Sequence, residues 1–247
     1  MNLAPRYWLS AILLALLALL PSSASAGMTP EEVKAFEGFK VQAEKGDRVA
    51  QFNLGNSYAN GEGVAKDFVQ AVFWYRKAAE QGLANAQSNL GLSYRIGTGV
   101  AKDAVEAVAW SRKAAEQGDP LGQFNLGVCH LTGEGVAKDE EKAFTWFLKA
   151  AEQGLPSAQF QLGTCYVYGH GVAKDETEGY AWYNLAAVKE PDGRIYSALM
   201  EKNWLSRDEI AAGQKRSKQL KGQIEGRFES KQLLLETIEK EKQRKGI

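Results

Sequence analysis

A unit of 36 residues is written four times in succession, without insertion, between residues 47 and 190. The first copy carries Leu54-Gly55, Tyr58, the turn Gly61-x-Gly63-Val64-Ala65-Lys66-Asp67, Ala71, Trp74 and Ala78-Ala79, and closes at Gly82. The later copies occupy 83–118, 119–154 and 155–190, and the tryptophan recurs as Trp110, Trp146 and Trp182. A fixed period of this size marks a solenoid. One unit cannot bury its apolar face alone, so neighbouring copies must stack into a continuous core.

Each copy reads as two helices. Helix A, from about Arg48 to Tyr58, presents Ala50, Leu54 and Tyr58 on one face of a 3.6-residue period. Gly61 and Gly63 end it, since glycine readily takes positive φ. Asp67 caps helix B. Gln70, Glu106 and Glu178 stand three residues after Asp67, Asp103 and Asp175, as in a capping box, whereas Lys142 breaks the pattern in the third copy. Helix B presents Ala71, Trp74 and Ala78, and stops at Gly82. Gly55 and its equivalents fall inside helix A, where glycine costs about 1 kcal/mol against alanine. Their recurrence therefore implies close approach of a neighbouring helix. Trp74, Trp110, Trp146 and Trp182 are in phase with the small residues of helix B, which assigns them to the core rather than to a ligand platform.

The flanks depart from the period. Arg6, an apolar run from Trp8 to Leu20 and Ala24-Ser25-Ala26 together read as a secretory leader (1–26), cleaved at Ala26/Gly27. This predicts a periplasmic or secreted chain, with no later apolar run long enough to span a bilayer. Residues 27–46 read as half a repeat, a lone helix opened by Thr29 and Pro30 that covers the end of the stack. In the stretch 191–247, Pro191-Asp192-Gly193 signals a turn and a short helix follows from Arg194 to Trp204. Ser206 and Glu209 form a capping box that opens a helix with Ile210, Gly213, Ser217 and Leu220 on one side. Gly222 and Gly226 are expected to loosen the chain. A last helix from Ser230, with Leu234, Leu235 and Ile238, is expected to fray in its final turns.

Thirty basic residues balance thirty acidic ones, which lacks the basic footprint of a nucleic-acid binder. His130 stands in the tyrosine slot of helix A and His170 in a turn. No Cys, His, Asp or Glu cluster has metal-ligand spacing, and no nucleophile or phosphate-binding motif occurs. No catalytic, cofactor-binding or metal-ligating residue is expected. Cys129 and Cys165 occupy equivalent positions, held elsewhere by Ser57 and Ser93. Packed helix axes lie roughly 8–10 Å apart, wider than the Cα limit of about 7 Å for a disulfide, so two buried free thiols are expected.

The set Leu54-Gly55-x-x-Tyr58, Gly61-x-Gly63-Val64, Ala71, Trp74 and Ala78-Ala79-x-x-Gly82 resembles the Sel-one-like repeat (SLR), a relative of the tetratricopeptide repeat. His130 and Gly179 are its departures in this sequence. The resemblance implies an all-α fold: a right-handed α/α solenoid of four helix-turn-helix repeats, with an N-terminal half-repeat and C-terminal capping helices. It also implies a non-catalytic, monomeric module that binds a protein partner and needs no cofactor. The family includes periplasmic immunity proteins against type VI lipase effectors and parts of envelope assemblies. Cysteine-rich relatives tied to β-lactam binding carry paired cysteines that this chain lacks.

In related solenoids the helix-A face turned from helix B lines a concave groove. Here that face would carry Phe52, Asn53 and Asn56, then Asn89, Leu92 and Arg95, then Phe124, Asn125 and Val128, then Phe160, Gln161 and Thr164. Asn53, Asn89, Asn125 and Gln161 form a row of amides. Such a row serves either to hydrogen-bond the backbone of an extended peptide or to bond across neighbouring repeats and order the stack.

Overall fold

The computed structural model describes residues 28–189 and 191–245; the leader expected at 1–26 lies outside them. Among the described residues there are eleven α-helices and no strand. Helix α1 spans Pro30–Glu44. The repeats supply α2 (Arg48–Asn60) and α3 (Phe68–Glu80), α4 (Ala84–Ile96) and α5 (Ala104–Glu116), α6 (Pro120–Thr132) and α7 (Glu140–Glu152), and α8 (Pro156–Tyr168) and α9 (Glu176–Ala186). Helices α10 (Pro191–Asn203) and α11 (Arg207–Lys245) follow. Through the repeats each helix packs on the next in sequence, which gives an all-α solenoid. No helix of the described residues is long and apolar enough to cross a membrane.

The caps follow the sequence at the ends of the stack and differ inside it. Thr29 and Glu32 form a reciprocal capping box, and so do Ser206 and Glu209. Asp67, Asp103 and Asp175 accept the backbone N–H three residues on, at 3.0, 3.1 and 2.9 Å. The expected return bond does not form. The N–H of each aspartate is already held by the carbonyl of Tyr58, Tyr94 or Tyr166 in the preceding helix, at 2.9, 3.0 and 2.9 Å. Freed from that role, Glu106 and Glu178 accept the indole N–H of Trp110 and Trp182 one turn on, at 2.9 and 3.1 Å.

Two kinds of glycine set the packing. A Cβ on Gly55, Gly127 or Gly163 would stand 2.7, 2.7 or 2.8 Å from the ring of Tyr75, Phe147 or Tyr183, so the two helices of a repeat meet where helix A has no side chain. In the turn, a Cβ on Gly63, Gly99, Gly135 or Gly171 would lie 2.2, 2.0, 2.0 or 2.1 Å from the carbonyl oxygen of Glu32, Phe68, Ala104 or Glu140. Those carbonyls belong to the first turn of the preceding helix B, or of α1. The second glycine of each turn thus seats its repeat on the one before, and α1 supplies the first seat.

A row of buried glutamines joins the same neighbours. Gln51, Gln87, Gln123 and Gln159 donate from Nε2 to the carbonyls of Ala43, Ala79, Ala115 and Ala151 in the preceding unit, at 3.2, 3.1, 3.5 and 3.3 Å. Gln51, Gln87 and Gln123 also accept from Gln81, Gln117 and Gln153 at 2.8, 2.7 and 2.8 Å. Gln123→Ala would remove both of its hydrogen bonds to the neighbouring units, each worth about 0.5–1.5 kcal/mol. The urea midpoint is expected to fall with an unchanged denaturant slope; an unmoved midpoint would mean the glutamines do not couple the repeats.

Cys129 and Cys165 are buried free thiols. Cys129 packs with Val108 and Leu126, and burial pushes the Cys165 thiol up to about 12. Trp110 and Trp182 are buried, while Trp74 and Trp146 are half-buried with Lys77 and Lys149 over their rings.

The C-terminal region differs from expectation in two ways. Pro191 opens α10 instead of making a turn, a position where its missing N–H costs nothing. Gly222 and Gly226 do not interrupt α11, which runs for 39 residues. Its first half docks: Gly213 abuts the Tyr180 ring, and Ile224 and Phe228 lie over Gly154. Arg216 pairs with Glu178 at 2.9 Å and Arg227 with Glu152 at 2.8 Å. Beyond Phe228 the helix leaves the repeats, and Leu233, Leu234, Leu235 and Ile238 are exposed.

Candidate functional site

The A helices α2, α4, α6 and α8 bury Leu54, Leu90, Leu126 and Leu162. They also carry a second set of side chains that the core covers only in part. Phe52, Asn53 and Asn56 on α2, Asn89, Leu92 and Arg95 on α4, Phe124 and Val128 on α6, and Phe160, Gln161 and Thr164 on α8 are all half-buried.

Three of the four repeats organise this face around an aromatic pair, one ring from each helix. Phe52 meets Tyr75 with ring centres 5.9 Å apart, Phe124 meets Phe147 at 5.8 Å, and Phe160 meets Tyr183 at 5.3 Å. Tyr196 of α10 extends the last pair, 5.3 Å from both rings. The Tyr75 hydroxyl donates to Asn56 Oδ1 at 2.8 Å, and the Tyr183 hydroxyl lies 3.1 Å from Thr164 Oγ1. Burial pushes both phenols up to about 12, against the opposing hydrogen bonds of Asn89 and Thr164 respectively. Both therefore keep their protons at neutral pH.

The second repeat breaks the pattern, with Ser88 and Ser111 in place of both aromatics. Helices α4 and α6 pack directly on each other there, and Asn125 Nδ2 donates to the Ser88 carbonyl at 3.3 Å. Asn125, placed by its register in an open groove, is instead fully buried, because the two small serines let α6 close over it. The amide row accordingly divides. Asn125 bonds across the repeats, and Asn89 acts on the Tyr75 phenol of the preceding one only in lowering its pKa against the larger effect of burial. Asn53 and Gln161 stay half-exposed with no side-chain hydrogen bond among the described residues.

His130 fills the tyrosine slot as a buried ring, and burial lowers its pKa, which keeps it neutral. His170 is half-exposed, its Nδ1 3.4 Å from Glu140 of the preceding repeat. Among the described residues no three His, Cys, Asp or Glu side chains converge as metal ligands would. Sequence reasoning missed Tyr75, Phe147 and Tyr183, because Ser111 interrupts their row. An aromatic in three of four copies is the signal that finds them. The glutamines at 51, 87, 123 and 159 recur in every copy, and their constancy is itself the sign of a joint.

The model of the Sel1 repeat matches residues 48–83, 84–119, 120–155 and 156–187. Among solved structures, a protective antigen present in uropathogenic Escherichia coli strains, displaying an SLR fold, is 39% identical with a TM-score of 0.70. That match covers 76% of this chain and only 41% of the antigen's. A Sel1 repeat protein from Oxalobacter formigenes is 32% identical with a TM-score of 0.66, over 78% of this chain and 76% of its own. No curated protein matches the chain. Four consecutive repeat matches over more than half the sequence, on a solenoid whose turns and joints repeat with the same period, lead to one conclusion: the chain belongs to the Sel1 repeat family.

Proposed function

We propose that this protein is a non-catalytic interaction module whose helix-A face binds an extended segment of a protein partner. The observation that carries the reading is a row of half-buried aromatic and amide side chains that the core does not complete. Phe52, Phe124 and Phe160 offer apolar contact area, and Asn53 and Gln161 offer unused donors and acceptors beside it. Peptide recognition combines main-chain hydrogen bonds with side-chain pockets in this way, and a few aromatic anchors carry most of the energy of such interfaces. With its leader removed at Ala26/Gly27, the protein meets this partner in the periplasm.

Asn53 and Gln161 provide the test, because replacing them breaks no hydrogen bond within the stack. Peptides selected from a random library on the immobilised protein would be measured against Asn53→Ala and Gln161→Ala. Stability is expected to stay within about 0.5 kcal/mol, while affinity falls roughly tenfold. Selected peptides that bind both variants as tightly as the parent would place the binding surface elsewhere.

A further inference from the structure

Three arginines of the described chain are half-buried: Arg76, Arg95 and Arg216. Arg76 donates to the Tyr94 hydroxyl and Arg216 grips Glu178 through two nitrogens. Arg95 is different. Its Nε is buried without a partner, and among the described residues no carboxylate lies within ion-pair distance of it. Burying part of a guanidinium with nothing to accept from it is unfavourable, and the planar fork is shaped for a carboxylate.

Its surroundings are distinctive too. Arg95 stands on α4, in the repeat where Ser88 and Ser111 replace the aromatic pair. The helix that carries it, α4, packs on α6 of the next repeat. Three further buried polar atoms lack partners on α5 and α6: Ser111 Oγ on α5, and Asn125 Oδ1 and His130 Nδ1 on α6. Along the helix-A face Arg95 is the one charge among the twelve groove positions named from the sequence. The equivalent positions in the other repeats hold Ala59, Leu131 and Val167. A neutral side chain is therefore compatible with the fold there, and the charge serves something other than the stack.

We infer that Arg95 receives a carboxylate of the bound partner at the seam between the second and third repeats. The inference rests on the helix-A face being the partner-binding surface. It adds that the partner presents an acidic side chain or a chain terminus at this point, and that the neutral remainder of the face reads the flanking residues.

Arginine side-chain NMR tests this directly on the whole protein. The Arg95 Nε–H signal is assigned by its loss in Arg95→Gln. It is then followed while N-acetyl-glutamate N-methylamide, N-acetyl-alanine or the uncharged N-acetyl-glutamine N-methylamide is added at constant ionic strength. The Arg95 signal is expected to shift saturably with a carboxylate and not with the amide, and the exposed Arg112 is expected to move with neither. A response to the glutamate compound alone assigns a side-chain carboxylate; a response to N-acetyl-alanine alone assigns a chain terminus. Equal responses from Arg95 and Arg112 would overturn the inference. Library-selected peptides are expected to lose about 10- to 100-fold in affinity on Arg95→Gln, the range for a charged hydrogen bond. Peptides sensitive to Asn53→Ala and Gln161→Ala but indifferent to Arg95→Gln would sink this inference and leave the binding face standing. Peptides indifferent to all three would remove both.

Discussion

Trp110→Ala is expected to destabilise the protein by about 3–5 kcal/mol, the cost of emptying a buried aromatic site. Trp110 is only 9% exposed and packs in one cluster with Tyr75, Ala78, Leu90 and Tyr94, so it ties α5 to both α3 and α4. Its removal would also strand Glu106, which accepts the indole N–H at 2.9 Å, and uncover Lys113, whose ammonium lies 4.0 Å from the ring centre. A midpoint drop of roughly 6–20 °C corresponds to that range for a chain of this size. Trp74→Ala, at a half-buried position, should cost clearly less. Equal melting of Trp110→Ala and the parent would show that the tryptophan row is not part of the core.

Gly135→Ala should be comparably damaging for a different reason. Gly135 has φ of +73° and its missing Cβ would sit 2.0 Å from the Ala104 carbonyl oxygen of the preceding repeat. Positive φ costs an L-residue about 1–2 kcal/mol, and forcing the repeats apart adds about 1–3 kcal/mol. Gly133→Ala is the control, since Gly133 has φ of +76° but faces only Lys138, at 3.3 Å. The difference between the two variants in chemical denaturation isolates the joint from the backbone penalty. Identical losses would mean that the joint yields freely.

The period in the sequence was enough to predict the stack, because the residues that recur are those each joint needs. Gly55, Asp67 and Gly82 were legible for that reason, and α1 was legible through its shared register. Three features depend on contacts that no single copy displays. The N-cap aspartates of the repeats need no returning carboxylate because a tyrosine carbonyl from the preceding helix holds their N–H groups. Asn125 leaves the open part of the helix-A face because two serines 23 residues apart in sequence, Ser88 and Ser111, vacate the same space. Gly222 and Gly226 stay helical because two losses of about 1 kcal/mol are small beside the strong helix formers around them. Arg95 stands out in the repeat register as a charge where the other copies are neutral, but its missing partner is visible only in the fold.

The joints between repeats differ in character from the closure at the end of the stack. Inside, neighbours are held by neutral amides, carbonyls and close-packed glycine contacts. The glutamine relay stops at Gln159, since the position that would complete it is Lys189. There α11 takes over, with charge pairs from Arg216 to Glu178 and from Arg227 to Glu152. Counterions screen exposed charge pairs strongly and neutral buried bonds hardly at all. Of the two pairs that hold α11, the exposed one, Arg227 to Glu152, is therefore the contact that salt weakens most, while the half-buried Arg216–Glu178 pair and the apolar contacts of Leu220 and Ile224 keep the first half of the helix on the stack.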